Sequence, residues 1–254
     1  MMIAICFLTV APTNRQFIDF CESLKNDTYV VYLCVDNELH RFDTSCEIIQ
    51  IPSRVAETAG YKSSVLYFNN KACARDKALY YFCLVKQYQL VWFIEEDVFV
   101  PQRETIAAID AKYGFCDLLS PSNYIFLEKP TFLHKNTWHW KHILQQTSLP
   151  PPFAASLVCA IRVSWRLLRV IRLYAQRYNN LFLDEVLFNT LALKANLHIV
   201  VANELRNTIL YRHPWETLPH HLLPPNCLYH PVKDLNTQTR MRKKYEANNP
   251  SLSK

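Results

Sequence analysis

Apolar residues run through "MIAICFLTV" at 2–10 and "TYVVYLCV" at 28–35, and each run ends in a polar turn, "APTNR" and "DNE". Short β-rich runs bounded in this way predict strands. Between them, "NRQFIDFCESLKN" carries Phe17, Phe20 and Leu24 at helical spacing, so the opening reads β-α-β. "CEIIQIP" predicts a third short strand. "NNKACARDKALYYFCLVKQY" predicts an amphipathic helix with Ala74, Ala78, Tyr81, Phe82 and Val85 on one face, and the strand "LVWFI" follows.

Strands and helices alternating in units of about 30 residues predict an α/β fold, a mixed, mostly parallel sheet flanked by helices. In such sheets ligands bind beyond the carboxyl ends of the strands, where "APT", "VDN" and "EEDV" all fall.

The second half is less regular. "SPSNYIFLEKPTFLHKNTWHWKHI" is aromatic and loop-rich, and "LPPPF" at 149–153 excludes a helix. From Ser164 as N-cap, "SWRLLRVIRLYAQRY" turns Leu167, Leu168, Ile171, Tyr174, Ala175 and Tyr178 inward and leaves Arg162, Arg166, Arg169 and Arg172 as a solvated stripe. "LFLDEVLFNTLALKAN" predicts a helix with Asp184 and Glu185 in its first turn, and "LHIVVANE" a late strand.

With 254 residues, 50% of them hydrophobic, the chain can bury the core of one large globule. No apolar run reaches the roughly 18 residues of a membrane span, and "MMIAICFLTVAPTNR" lacks the basic start and cleavage site of a signal peptide. A soluble, cytoplasmic protein is expected. Nine cysteines, none closer than ten positions, form no CxxC pair, and the odd count suits a reducing compartment. The net charge of +6 is concentrated after Lys233, so no basic surface for nucleic acid is expected, and "RMRKK" at 240–244 reads as a solvated tail. Gly60 and Gly114 are the only glycines, which leaves no P-loop or GxGxxG turn to hold a phosphate.

Against that background the stretch "LVWFIEEDVFVP" at 90–101 carries the candidate chemistry, because a buried-type strand delivers Glu95, Glu96 and Asp97 to the ligand-binding edge. Burying such carboxylates without a cation is costly. Glu95 and Asp97 point the same way if the backbone stays extended, and oxygen ligands favour magnesium or manganese, which share their sites with substrate phosphates. Glu96 faces elsewhere.

The β-α-β opening, the acidic triplet of "DxD" type, the "DE" of "LDEVLFNTL" and the late "CLYHPVKD" together resemble a GT-A glycosyltransferase. The resemblance implies a GT-A, Rossmann-like domain over 1–234, with a nucleotide-binding half (1–100), an acceptor half (101–234) and a polar basic tail (235–254). It implies Mn2+ or Mg2+ on Asp97, with Glu95 as a second or water-mediated contact and His230 completing the sphere. Lys233 would meet the diphosphate of a UDP-sugar donor, and Glu185, or else Asp184, would be the base that deprotonates an acceptor hydroxyl. Thr9, Pro12, Thr13 and Asp36 would recognise the nucleotide, with Arg75, Asp76 and Glu96 as further donor-side contacts. Trp138, Trp140 and Trp215 are candidates for stacking on an acceptor sugar. The partners implied are a nucleotide sugar and a glycan or glycoprotein acceptor.

The triplet departs from the pattern by beginning with Glu, and a glycine-rich acceptor segment is missing. The "IAICFLT" opening looks most like the small transferases of large algal DNA viruses (chloroviruses), which glycosylate capsid proteins in the host cytoplasm and suggest UDP-xylose. Two other readings are a sugar-phosphate nucleotidyltransferase, for which "VAPTNR" lacks the usual glycine-rich loop, and a non-catalytic carbohydrate-binding protein.

Overall fold

The computed structural model describes residues 2–12, 14–65, 71–128, 140–210, 213–219 and 222–248. Strand β1 (Ile3–Thr9) leads into α1 (Arg15–Ser23), then β2 (Tyr29–Val35), β3 (Glu47–Ile49), α2 (Ser53–Thr58), α3 (Ala74–Tyr80) and β4 (Leu90–Glu95). The second half contains α4 (Thr105–Tyr113), β5 (Leu118–Ser120), β6 (Tyr124–Phe126), α5 (Trp140–Gln146), β7 (Phe153–Ala155) and β8 (Ala160–Ser164). It continues through α6 (Trp165–Tyr178), α7 (Asp184–Lys194), β9 (Ile199–Val201) and α8 (Leu235–Asn248).

Seven strands form one sheet in the order β3-β2-β1-β4-β8-β5-β9, and β6 pairs with β7 in a small antiparallel ribbon. All neighbours in the large sheet are parallel except β8, which runs against both β4 and β5. The expected mixed, mostly parallel sheet flanked by helices is thus the architecture observed.

Side-chain alternation explains the layers. On β1, Ile3, Ile5 and Phe7 enter one apolar cluster with Phe17 of α1 and Ile106 of α4, while Ala4, Cys6 and Leu8 enter the other with α3, α6 and α7. Helices therefore cover both faces, and the ligand-bearing edge is left at the strand ends. No helix among the described residues is long and apolar enough to cross a membrane. All nine cysteines are free.

Three expectations differ from what is observed. The helix expected through residue 85 changes to a wider π turn at Tyr81–Val85, where Lys86 N–H bonds Tyr81 O at 3.0 Å; the altered period buries Cys83 and turns Val85 outward. Arg162 is not part of a solvated stripe. It lies on central strand β8, fully buried, where it binds the Asp110 carboxylate and Gly114 O, beside Trp92. Residues 235–248, expected as a tail, form α8, with Gln238, Met241, Arg242 and Tyr245 buried at helical spacing. Two of those four positions are polar, which hid the stripe in the sequence.

Candidate active site

The acidic triplet sits where β4 ends. Glu95 N–H still pairs with Cys159 O (2.9 Å), and Glu96 N–H with Leu8 O (3.1 Å), but Val98 N–H closes onto Glu95 O at 3.0 Å. The backbone therefore turns over Glu95–Val98 instead of staying extended. Glu95 and Asp97 nonetheless line the same cleft, and Glu96 turns toward β1, where its carboxylate accepts the Thr9 hydroxyl. Burial holds the Glu96 carboxyl above the usual range.

A strap from the far end of the chain completes this edge. Phe99 and Tyr229 exchange backbone bonds (2.7 and 3.1 Å), and Val232 N–H binds Asp97 O at 2.8 Å. His230 is thereby laid against the triplet, its Nε2 3.4 Å from Asp97 Oδ2 and 4.0 Å from Glu95 Oε2. Its Nδ1 faces Thr208 O at 3.2 Å, and Trp215 Nε1 donates to His230 O at 2.9 Å. Burial pulls the imidazole pKa down, but the hydrogen bond and charge of Asp97 outweigh it and hold it above its ordinary value. Two carboxylates and one imidazole nitrogen so close together fit a divalent cation at ligand lengths of about 2.0–2.3 Å, and the Nδ1 contact is the outer-shell bond that orients a ligating histidine.

Facing this edge is the start of α7. Asp184 N–H bonds Ser64 O (2.9 Å), which fixes the first turn, and the Asp184 side chain is only 8% exposed. Arg75 joins the two acidic groups. Its Nη2 donates to Glu95 Oε1 (3.0 Å) and Val158 O (2.8 Å), and its Nε lies 3.2 Å from Asp184 Oδ2. The remaining Nη1 is buried and has no hydrogen-bond partner among the described residues.

Burial drives Asp184 up to about 7, with Glu95 and Asp76 adding to the rise and Arg75 opposing it. Glu185 is pushed up to about 8, first by burial, then by Asp184 and Glu95, against the pull of Arg75. The Glu185 carboxylate has no ion pair or hydrogen bond among the described residues. It lines the cleft as a half-buried group able to take a proton near neutrality.

Two depressions meet here. One, of about 410 Å³, is lined by Glu95, Asp97, Cys159, Asp184, Glu185 and His230. The other, of about 400 Å³, runs along the ends of β1 and β2, past Thr9, Asp36, Arg75 and Glu96. Glu95, Asp97 and Lys233 line both.

No family model and no curated protein sequence matches the chain. Among solved structures, the fold resembles the galactosyltransferase LgtC in complex with donor and acceptor sugar analogues, at 11% identity and a TM-score of 0.47 over 96% of each chain. It also resembles mouse xyloside xylosyltransferase 1 (12% identity, TM-score 0.41, 93% of this chain and 98% of that one). A third is glucosyl-3-phosphoglycerate synthase from Mycobacterium tuberculosis in complex with Mn2+, UDP-glucose and phosphoglyceric acid (12%, TM-score 0.35, 65% and 57%). At such identities and scores the likeness is one of strand and helix arrangement alone.

The remaining sequence candidates divide clearly. Thr9 and Asp36 line the second depression, and buried Lys77 holds Asp36 through Oδ1 (3.2 Å) and its backbone O (2.7 Å). Pro12 is buried, its carbonyl 2.9 Å from His40 Nε2. Asp76 lines neither depression. It is fully buried and caps α3, accepting from Cys73 N–H (3.0 Å) and Ser64 N–H (3.2 Å). Thr13 and Trp138 lie outside the described residues. Trp140 packs between Phe126 and Phe153, and Trp215 supports His230 from beneath. Cys159, Lys77 and Thr208 were not singled out in the sequence: Cys159 in the loop before β8 and Thr208 in the 3-10 turn Asn203–Thr208 carry no periodic signature, and Lys77 on α3 is buried only by partners distant in the chain.

Proposed function

We propose that this protein is a metal-dependent GT-A glycosyltransferase that moves a sugar from a UDP-sugar to a hydroxyl of a glycan or glycoprotein acceptor. The observation that carries the reading is the pair of adjoining depressions that share Glu95, Asp97 and Lys233. One offers a nucleotide-sized groove at the strand ends, and the other presents a carboxylate base.

In this reading the nucleotide lies along the ends of β1 and β2, against Thr9 and Asp36, with Pro12 buried behind them. Lys233 meets donor oxygens, and Arg75 adds positive charge to the wall of the groove. Asp97, Glu95 and His230 hold Mn2+ or Mg2+, which neutralises charge on the diphosphate. Glu185 takes the proton of the acceptor hydroxyl as that oxygen bonds to the anomeric carbon and the bond from that carbon to the diphosphate breaks. A base with a pKa of about 8 is neither too weak to take the proton nor wholly protonated at neutral pH. Asp184, held by Arg75, positions the helix start and keeps Glu185 basic. Attack by the acceptor on the face opposite the departing diphosphate gives inversion at the anomeric carbon.

The "IAICFLT" opening makes UDP-xylose the first donor to test, and the nine free thiols suit the reducing cytoplasm. The test is calorimetry with UDP and manganese, followed by a screen of nucleotide sugars for transfer or hydrolysis. The expected result is UDP binding that requires metal. Failure of the wild-type protein to bind UDP with manganese present rejects the reading, and release of pyrophosphate from a sugar phosphate and a nucleoside triphosphate would establish nucleotidyl transfer instead.

A further inference from the structure

A feature that sugar transfer does not require lies at the floor of the first depression. Cys159 ends the loop before β8, directly across from Glu95 in the antiparallel register set by Ile94 and Ala160, and the two residues are joined by the 2.9 Å bond from Glu95 N–H to Cys159 O. A cross-strand pair places its side chains side by side. Cys159 Sγ, a Glu95 carboxylate oxygen and a His230 ring nitrogen all lie within 4.8 Å of one another, and Asp97 Oδ2 stands 3.4 Å from His230 Nε2.

We propose that Cys159, Glu95 and His230 form a three-residue zinc site, with water in the fourth position, that overlaps the hard-cation position and excludes it. Sulfur, imidazole and carboxylate donors are the set that zinc takes in tetrahedral geometry, whereas magnesium and manganese prefer oxygen. Ligand atoms on one tetrahedral zinc lie about 3.3–3.8 Å apart at bond lengths of about 2.0–2.3 Å, so the cluster closes with side-chain shifts of about 1 Å. Thr208 O at Nδ1 supplies the second-shell contact that fixes a ligating imidazole. On binding, the ion exchanges water ligands for protein donors and the Cys159 thiol releases its proton to solvent. The site stands on its ligand atoms and does not need the sugar-transfer reading. Where both hold, zinc locks Glu95 and His230 onto Cys159 and inhibits the enzyme.

The test uses cobalt(II) as a spectroscopic substitute for zinc in the full chain. The wild type is expected to gain a near-ultraviolet sulfur-to-cobalt charge-transfer band, which one equivalent of zinc removes. Cys159→Ser should lose the band and bind zinc at least about 100-fold more weakly, the upper end of what loss of a mere outer-shell partner costs, while still binding manganese. Cys227→Ser, which alters the least buried thiol, should keep the band. Cys159→Ala serves as a second variant should the serine destabilise the fold. A wild type without the band, or a band that survives in both Cys159 variants, overturns the proposal. Manganese binding without the band rejects the zinc site and leaves sugar transfer standing, and the band without manganese-dependent UDP binding does the reverse.

Discussion

The two acidic regions of the cleft are built from the same residue types and behave in opposite ways. At the end of β4, the Glu95 and Asp97 side chains are 37% and 24% exposed and stand beside Arg75 and His230. At the start of α7, burial and neighbouring carboxylates raise the Asp184 and Glu185 carboxyls to about 7 and about 8, against the pull of Arg75. In the proposed reading the first pair holds a cation and the second a proton. Arg75 bridges the two regions, bonded to Glu95 on one side and Asp184 on the other.

The contrast breaks most completely at Asp97. Asp97→Ala should remove manganese-dependent UDP binding altogether, measured by calorimetry, and lower transfer by about a thousandfold or more, since a metal contributes several kcal/mol at such a centre. Glu185→Gln should leave UDP affinity unchanged and cut kcat by about 10²–10⁴-fold, the range for a lost general base. If Asp184→Asn shows the larger loss and Glu185→Gln keeps full rate, the roles of the two residues are exchanged.

A pH profile sharpens the comparison. Only the ionised Glu185 accepts a proton, so kcat should rise with pH through a limb near 8, and that limb should vanish in Glu185→Gln. Arg75 pulls both α7 carboxyls down, so in Arg75→Met the limb moves to higher pH. The same variant should lose about 3–5 kcal/mol of stability by thermal or urea denaturation, because Asp184 is left buried without its partner. The smallest effect is expected at Trp215→Phe, which removes the bond to His230 O and should weaken manganese binding about tenfold with the pH limb unmoved.

How much of this was legible in the sequence follows from how each region encodes itself. The first half is written in local periods: β1, α1, β2 and β4 fall where apolar runs and helical spacing put them; in the second half, Ser164 caps α6 as expected by accepting from Leu167 N–H at 3.3 Å. The meeting of Glu95, Asp97 and Asp184 around one cleft was implied by the GT-A resemblance and not by any local period, since α7 follows another helix and not a strand. What escaped notice depends on distant partners. Arg162 looked like a surface arginine until Asp110 and Gly114 O were seen to satisfy it in the core, and Arg75, expected as a donor-side contact, gave no sign that it would pair with both Glu95 and Asp184. Strand β8 is five residues long and carries that arginine, so no pattern marked it as the reversed centre of the sheet.

Helix α8 has a consequence for how the protein is made. Gln238 Nε2 donates to Glu96 O and Val232 O, both at 2.9 Å, and Arg242 Nε to Val100 O at 3.0 Å, so the last helix ties the His230 strap to the turn that carries Asp97. A nascent chain displays Glu95 and Asp97 long before residues 230–242 leave the ribosome. Until then the pocket lacks the wall that carries His230, and an incomplete product cannot complete it however well the sheet has formed.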